Sequence, residues 1–259
     1  MKNLYIQILN KEIKTVSVED SKKTVVLGVF SITGKSQTAF KNEVSRIKKE
    51  LKLKQDPTII LPEPGLYPNS QNWKLSKDQT SSIMARASYE AHRGQFKKQG
   101  VYILLEIGNS INLAVIRKNK QININEHNLD RMVADFHEAI SEPHDSRYLQ
   151  DFCTNHFFLK KRGKTGPEIY NQMQDDALDG AELFVEYGAN MGALLANLDT
   201  LFEPDCIAIS GSLVQTFDAW SHAMGKMRNQ HRGKKPTCRV TPLENKSDSS
   251  IIGANYLNL

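Results

Sequence analysis

Apolar residues fall first in short runs and later in long helical stripes. Residues 4–8 alternate loosely between apolar and polar, and 24–30 (TVVLGVF) form a nearly continuous apolar run, the pattern of a strand buried on both faces. After a turn at Gly34, Phe40, Val44, Ile47 and Leu51 recur at steps of four, three and four. That spacing predicts one buried face of a helix over 37–53. Thr58–Leu61 (TIIL) predicts another buried strand, and the prolines and glycine of 62–73 predict a loop. A helix is expected over 81–92. Two strands are expected at 101–105 and 111–117, joined by Glu106-Ile107-Gly108-Asn109-Ser110, with 121–124 continuing the sheet.

The second half reads as mostly helical. Helices are predicted over 127–141 and 147–161, a break at 162–166, and a new helix opening on Pro167. The clearest helix spans 175–201, where Ala177, Ala181, Phe184, Gly188, Met191, Leu195 and Leu198 share one stripe. Gly180, Gly188, Ala189, Gly192 and Ala193 leave room for another backbone to approach it closely. Glu203-Pro204-Asp205 ends it. A buried strand at 206–209, the turn Ser210-Gly211-Ser212, a helix over 214–228, a strand over 237–243 and a helix over 249–257 complete the chain. This order predicts an α/β protein whose ligands sit where glycine turns lead from strands into helices.

Composition narrows the function classes. The chain has 259 residues, 39% hydrophobic and 24% charged, enough for a buried core and unlike a disordered chain. No apolar run is long enough to span a bilayer, so no membrane partner is expected. No secretory pattern opens the sequence, and its three cysteines form no CxxC pair, so a cytoplasmic location is expected. A net charge of +5 suits an anionic small molecule. The basic clusters Lys160-Lys161-Arg162-Lys164 and Arg232-Lys234-Lys235 lack interleaved aromatics and read as solvated loops, so nucleic acid is not an expected partner.

One segment carries a family likeness. AELFVEYGANMGALLANLDTLFEPDCIAISGSLVQ and, near the end, IIGANYL combine a long helix, the turn Asn-Leu-x-x-Leu-Phe-x-Pro-Asp (Asn197 to Asp205), a buried strand, a glycine turn and a last helix opening on Gly253-Ala254. This resembles the C-terminal lobe of the ROK family (repressors, uncharacterised frames and sugar kinases), within the actin-like superfamily. Upstream, 101–116 resembles that family's second phosphate-binding hairpin. Leu149-Gln150-Asp151-Phe152 resembles the start of the helix after its zinc loop, and 28–34 and 68–73 resemble its glycine turn and sugar loop. The resemblance implies a two-lobed actin-like (ribonuclease H-like) α/β fold with mixed sheets. A shortened N-terminal lobe would occupy 1–95 and a C-terminal lobe 96–259. It also implies ATP with Mg²⁺, a hexose or amino sugar, and a homodimer paired through the C-terminal lobe.

Such a kinase works by positioning and electrostatics: glycine hairpins present N–H groups to phosphates, and a carboxylate accepts the hydroxyl proton. Several of the family's motifs are altered here. The first hairpin is Gln7-Ile8-Leu9-Asn10-Lys11, without acid or glycine, and reads as an ordinary strand pair. The second keeps Gly108 and, with Asn109 and Ser110, is either an anion-binding turn or a plain one. Ser82 stands where the resemblance places the catalytic aspartate; Asp78 takes that role if the alignment slips. Asn69, His137 (in Val133-Ala134-Asp135-Phe136-His137) and Gln150 are the expected sugar-binding residues, and Gly211 a further nucleotide contact. The zinc loop is absent. His137, His144, Cys153 and His156 match no standard ligand spacing, so no zinc is expected. Two readings stand: a divergent ATP-dependent sugar kinase, or a non-catalytic ligand sensor or assembly partner on the same fold.

Overall fold

Alternation along β1 (Asn3–Ile8) divides the first sheet into two buried faces. The structure is a computed structural model. It describes residues 3–8, 12–19, 23–31, 36–53, 56–61, 79–94, 96, 100–118, 120–122, 129–130, 132–134, 148–173, 180–232, 238–243 and 249–257. By contact the chain divides into two units, 1–98 with 246–259, and 99–245.

In the first unit, β2 (Glu12–Glu19) and β3 (Lys23–Ser31) extend β1 antiparallel, while β4 (Thr58–Leu61) and β5 (Gln79–Ser81) lie parallel on its other side. The order is β3-β2-β1-β4-β5. Ile6, Ile8, Ile13, Ile59 and Leu61 pack against Phe40, Val44 and Ile47 of α1 (Gln37–Glu50), the stripe expected from its spacing. Ser36 starts that helix by accepting the Ala39 N–H at 3.2 Å. Tyr5, Val16 and Ile60 pack instead with Ala85 of α2 (Ser82–His92) and Ala254 of α8 (Ser249–Leu257). A Cβ on Gly253 would lie 1.7 Å from the Ala85 carbonyl oxygen, so α2 and α8 meet backbone to backbone.

The second unit has the order β10-β9-β6-β7-β8. β6 (Val101–Ile107), β7 (Ile111–Arg117) and β8 (Lys120–Ile122) form an antiparallel meander. β9 (Cys206–Ser210) runs parallel to β6, and β10 (Arg239–Pro242) parallel to β9. α6 (Ala181–Phe202) crosses α7 (Phe217–Arg232) at two glycines. A Cβ on Gly188 or Gly192 would sit 2.4 Å from the carbonyl oxygen of Trp220 or Met224, respectively. Trp220, Tyr187, Phe184 and Phe158 are fully buried there, each contributing about 1.5–3 kcal/mol. Below the crossing, Arg228 donates Nε and Nη2 to Asp199 at 2.7 and 2.6 Å, and neither side chain is more than 5% exposed. Cys238 joins this pair, and burial pushes its thiol up to about 11.

Several expectations are corrected. The run 24–30 lies in an edge strand, not one buried on both faces: Val26, Leu27 and Val29 are 49, 40 and 53% exposed. An apolar run records composition, not the number of neighbours. The helix expected over 127–141 does not form at 132–134, where Val133 makes an antiparallel bridge to Tyr148. The helix expected over 147–161 is two, α3 (Leu149–Cys153) and α4 (Asn155–Arg162). Thr154 separates them, donating its hydroxyl to the Gln150 carbonyl at 2.6 Å and accepting the His156 N–H at 3.1 Å. α6 begins at Ala181 after Gly180, whose φ is +144°, and a 3-10 turn (Ser212–Thr216) precedes α7. The last helix, expected with the C-terminal lobe, packs in the first unit. The Gly34 turn, the loop 62–73 and residues 175–179 lie outside the described residues.

Candidate functional site

The ladder between β6 and β7 closes on the pair Ile107–Ile111, leaving Gly108, Asn109 and Ser110 as the turn. Within it the Gly108 N–H donates to the Ser110 carbonyl at 3.1 Å. One residue fastens this turn to three other segments. The Asn155 backbone N–H donates to the Gly108 carbonyl at 2.7 Å, and its Nδ2 donates to Asn109 Oδ1 at 3.1 Å. The same Nδ2 lies 3.5 Å from Ser212 Oγ, and Asn155 Oδ1 accepts the Gly166 N–H at 3.0 Å. Asn155 is 3% exposed. The break at Thr154 places it there, as the first residue of α4. α5 (Gly166–Gln172) arrives through a capping box between Thr165 and Glu168, with Pro167 in its first turn.

The glycines of this cluster have distinct physical reasons. Gly211 has φ +99°, and a Cβ there would lie 2.1 Å from the Ile107 carbonyl oxygen, so its identity follows from packing against the end of β6. A Cβ on Gly108 would meet Ser212 Oγ at 3.0 Å. The result is a turn whose polar groups are backbone, carboxamide and hydroxyl.

A carboxylate that sequence reasoning did not select stands at the root of the turn. Asp130 Oδ1 accepts the Ile111 N–H at 2.6 Å, and the Asp130 carbonyl accepts the Gln150 N–H at 3.2 Å. Burial pushes its carboxyl above the usual range, against the opposing pull of the Ile111 N–H and His156. No periodicity marks Asp130, which lies in a turn. Beside it opens a groove of about 510 Å³, lined by Leu113, Leu129, Met132, Phe152 and Leu194 among others. Its apolar lining does not suit a sugar or a phosphate.

The expected nucleotide residues Gly108, Asn109, Ser110 and Gly211 thus come together, and Gln150 joins them through Asp130. Asp78, Asn69 and His137 lie outside the described residues, as do Asp135 and His144. Ser82 is the first residue of α2. Glu106 is 5% exposed on β6, opposite Asn112. β1 and β2 pair as an ordinary hairpin as far as Ile8–Ile13, with 9–11 outside the described residues. Cys153 and His156 do not share a helical face, since the chain breaks between them. Cys153 is fully buried, its thiol pushed up to about 12, whereas His156 is exposed. In the first basic cluster, Lys161 pairs with Glu186 at 2.6 Å and Lys164 donates to Gln172 at 3.0 Å. Among the described residues no helix is long and apolar enough to cross a membrane.

No family model and no curated protein matches the chain. Solved structures do, and they share its fold, a two-sheet α/β fold like that of ROK proteins. A putative N-acetylmannosamine kinase from Listeria monocytogenes matches with a TM-score of 0.76 at 15% identity, over 99% of this chain and 98% of that one. A ROK family glucokinase from Streptomyces griseus, solved with glucose and AMPPNP, matches at 0.64 and 13% over 98% of each chain. A ROK family transcriptional regulator, a homologue of the Escherichia coli MLC protein, matches at 0.71 and 12% over 99% of this chain and 77% of its own. At such identities the likeness establishes the fold; function rests on the site.

Proposed function

We propose that the chain is a divergent ROK-type protein that binds the phosphates of a nucleotide such as ATP at the Gly108–Ser110 turn, and that it does so as a sensor or assembly partner without efficient sugar phosphorylation. The carrying observation is the Asn155 carboxamide. A buried carboxamide is destabilising unless its polar atoms are bonded, and this one bonds the turn to α5 and contacts Ser212. Such bracing holds a loop in one conformation, as a binding site requires. Mg²⁺ would accompany the nucleotide. Gln150, with Asn69 and His137, remains the expected sugar-binding set.

The second reading is a working sugar kinase. One observation favours it: burial holds Asp130 above the usual carboxylate range, the direction a general base needs. Asp78 is the other candidate base.

Isothermal titration with ATP–Mg²⁺ and then with hexoses tests the proposal, alongside an assay for sugar phosphate. Saturable nucleotide binding that weakens in Asn155→Ala, without sugar phosphate, supports it. No saturable nucleotide binding refutes it. Sugar phosphate formation that disappears in Asp78→Asn or Asp130→Asn establishes the second reading instead.

A further inference from the structure

We propose that Glu106, flanked by Asn112 and Ser210, is a ligand of the divalent cation that accompanies the nucleotide; this rests on the nucleotide reading above and locates its cation on this chain. Side chains of a strand alternate faces. Ile103, Leu105 and Ile107 of β6 belong to the core shared with α6 and α7, as do Ile111, Leu113 and Val115 of β7 and Ile207 and Ile209 of β9. Glu106, Asn112 and Ser210 therefore point to the other face of the same sheet. The registers set Glu106 opposite Asn112 on one side and Ser210 on the other. The three stand side by side across adjacent strands, neighbouring Cβ atoms being about 5 Å apart. The row lies one pair below Ile107–Ile111, the pair that closes the Gly108–Ser110 turn. Asn112 Nδ2 donates to Ser110 Oγ at 3.3 Å, which ties the row to that turn and leaves Oδ1 as the ligand atom.

The donor set fits a hard cation. Ser210 is fully buried, and its Oγ has no hydrogen-bond partner among the described residues. Folded chains seldom leave such an atom unsatisfied, and a bound ion is one ordinary explanation. This one adjoins a carboxylate that is itself 5% exposed. A second orphaned hydroxyl, Thr241 Oγ1, lies on the same face of β10. Carboxylate, carboxamide and hydroxyl oxygens suit Mg²⁺, and the row offers no nitrogen or sulfur ligand to a softer metal.

Mg²⁺ commonly takes one or two carboxylates and completes its shell with water and phosphate oxygens. Among the described residues no three His, Cys, Asp or Glu side chains gather as a metal cage. One carboxylate beneath a phosphate-binding turn is the arrangement for a shared ion instead. Without a cation, Glu106 would repel the phosphates across a short and poorly screened distance. With one, the same charge holds them.

The test has two arms. In the first, Mn²⁺ alone is titrated into the nucleotide-free chain and the free ion is followed by electron paramagnetic resonance. Saturable binding is expected, weakened about tenfold or more in Glu106→Gln and about threefold in Ser210→Ala. Ser210 Oγ has no partner to lose, so the serine variant keeps the fold, which circular dichroism checks. In the second arm ATP binding is measured with Mg²⁺ and with EDTA. The wild type should bind about tenfold or more weakly in EDTA, whereas Glu106→Gln should bind equally in both. No saturable Mn²⁺ binding, or binding that Glu106→Gln and Ser210→Ala leave unchanged, overturns the proposal. ATP binding that ignores the cation also overturns it and leaves the nucleotide reading standing. Mn²⁺ binding sensitive to both variants, without ATP binding, supports the cation site and refutes the nucleotide reading.

Discussion

Replacing Asn155 with alanine removes one side chain and loosens four segments. The two well-formed bonds, to Asn109 at 3.1 Å and from Gly166 at 3.0 Å, are each worth about 1 kcal/mol net. The 3.5 Å contact to Ser212 adds little. Gly166 is buried, so its N–H loses an acceptor that water cannot readily replace, at a further cost of about 1–2 kcal/mol. The expected destabilisation of the second unit is therefore about 3–4 kcal/mol. Urea unfolding followed by tryptophan fluorescence measures it, because Trp220 is buried and donates to Thr216 in the neighbouring 3-10 turn. Asn155→Asp keeps an acceptor for Gly166 but loses both donors. It should cost less stability than alanine and still weaken ATP–Mg²⁺ binding, by about tenfold if the turn's conformation matters. A loss below about 0.5 kcal/mol in Asn155→Ala, with unchanged nucleotide affinity, refutes the bracing argument.

Four other variants probe separate features. Asp199→Ala leaves Arg228 buried without a carboxylate and should cost about 3–5 kcal/mol in denaturant unfolding, whereas replacing both partners with apolar residues should recover much of the loss. Gly192→Val drives a side chain into the Met224 carbonyl and should destabilise the α6–α7 pair by at least about 2 kcal/mol, seen as a lowered melting temperature. Glu203 caps α6 at φ 45°, a left-handed conformation, so Glu203→Gly should raise stability by a few tenths to about 1 kcal/mol. For Asp130 the folded pKa is raised above its ordinary value of 3.8, so folding takes up a proton. That contribution is fully present below 3.8 and lost as pH rises through the folded pKa. Unfolding measured across this range should show the wild type gaining stability, relative to Asp130→Asn, as pH falls.

The parts legible in sequence were those set by local periodicity or a local cap. The α6 stripe from Phe184 to Leu198 and the α1 stripe from Phe40 to Ile47 are buried as their spacing predicts. Gly188 and Gly192 mark a close crossing, as small residues on one helical face suggest. What sequence missed depended on partners far along the chain. The burial of 24–30 turned on whether another strand followed β3. At Gly211 the sequence did not show that the Ile107 carbonyl already demands a glycine. Asn155 was hidden inside an assumed continuous helix. The Thr-Asn pair at 154–155, two residues that favour capping over helix interiors, was the available signal.

The return of α8 to the first unit bears on how the chain is made. Synthesis proceeds from the N-terminus, so α2 emerges long before the helix whose Gly253 fits against its backbone. The second unit, continuous over 99–245, has all its strands available before α8 leaves the ribosome. The apolar seat around Tyr5, Val16, Ile60 and Ala85 thus stays without Ala254 until the whole of the second unit has been made. α8 is thus the piece that closes the core of the first sheet.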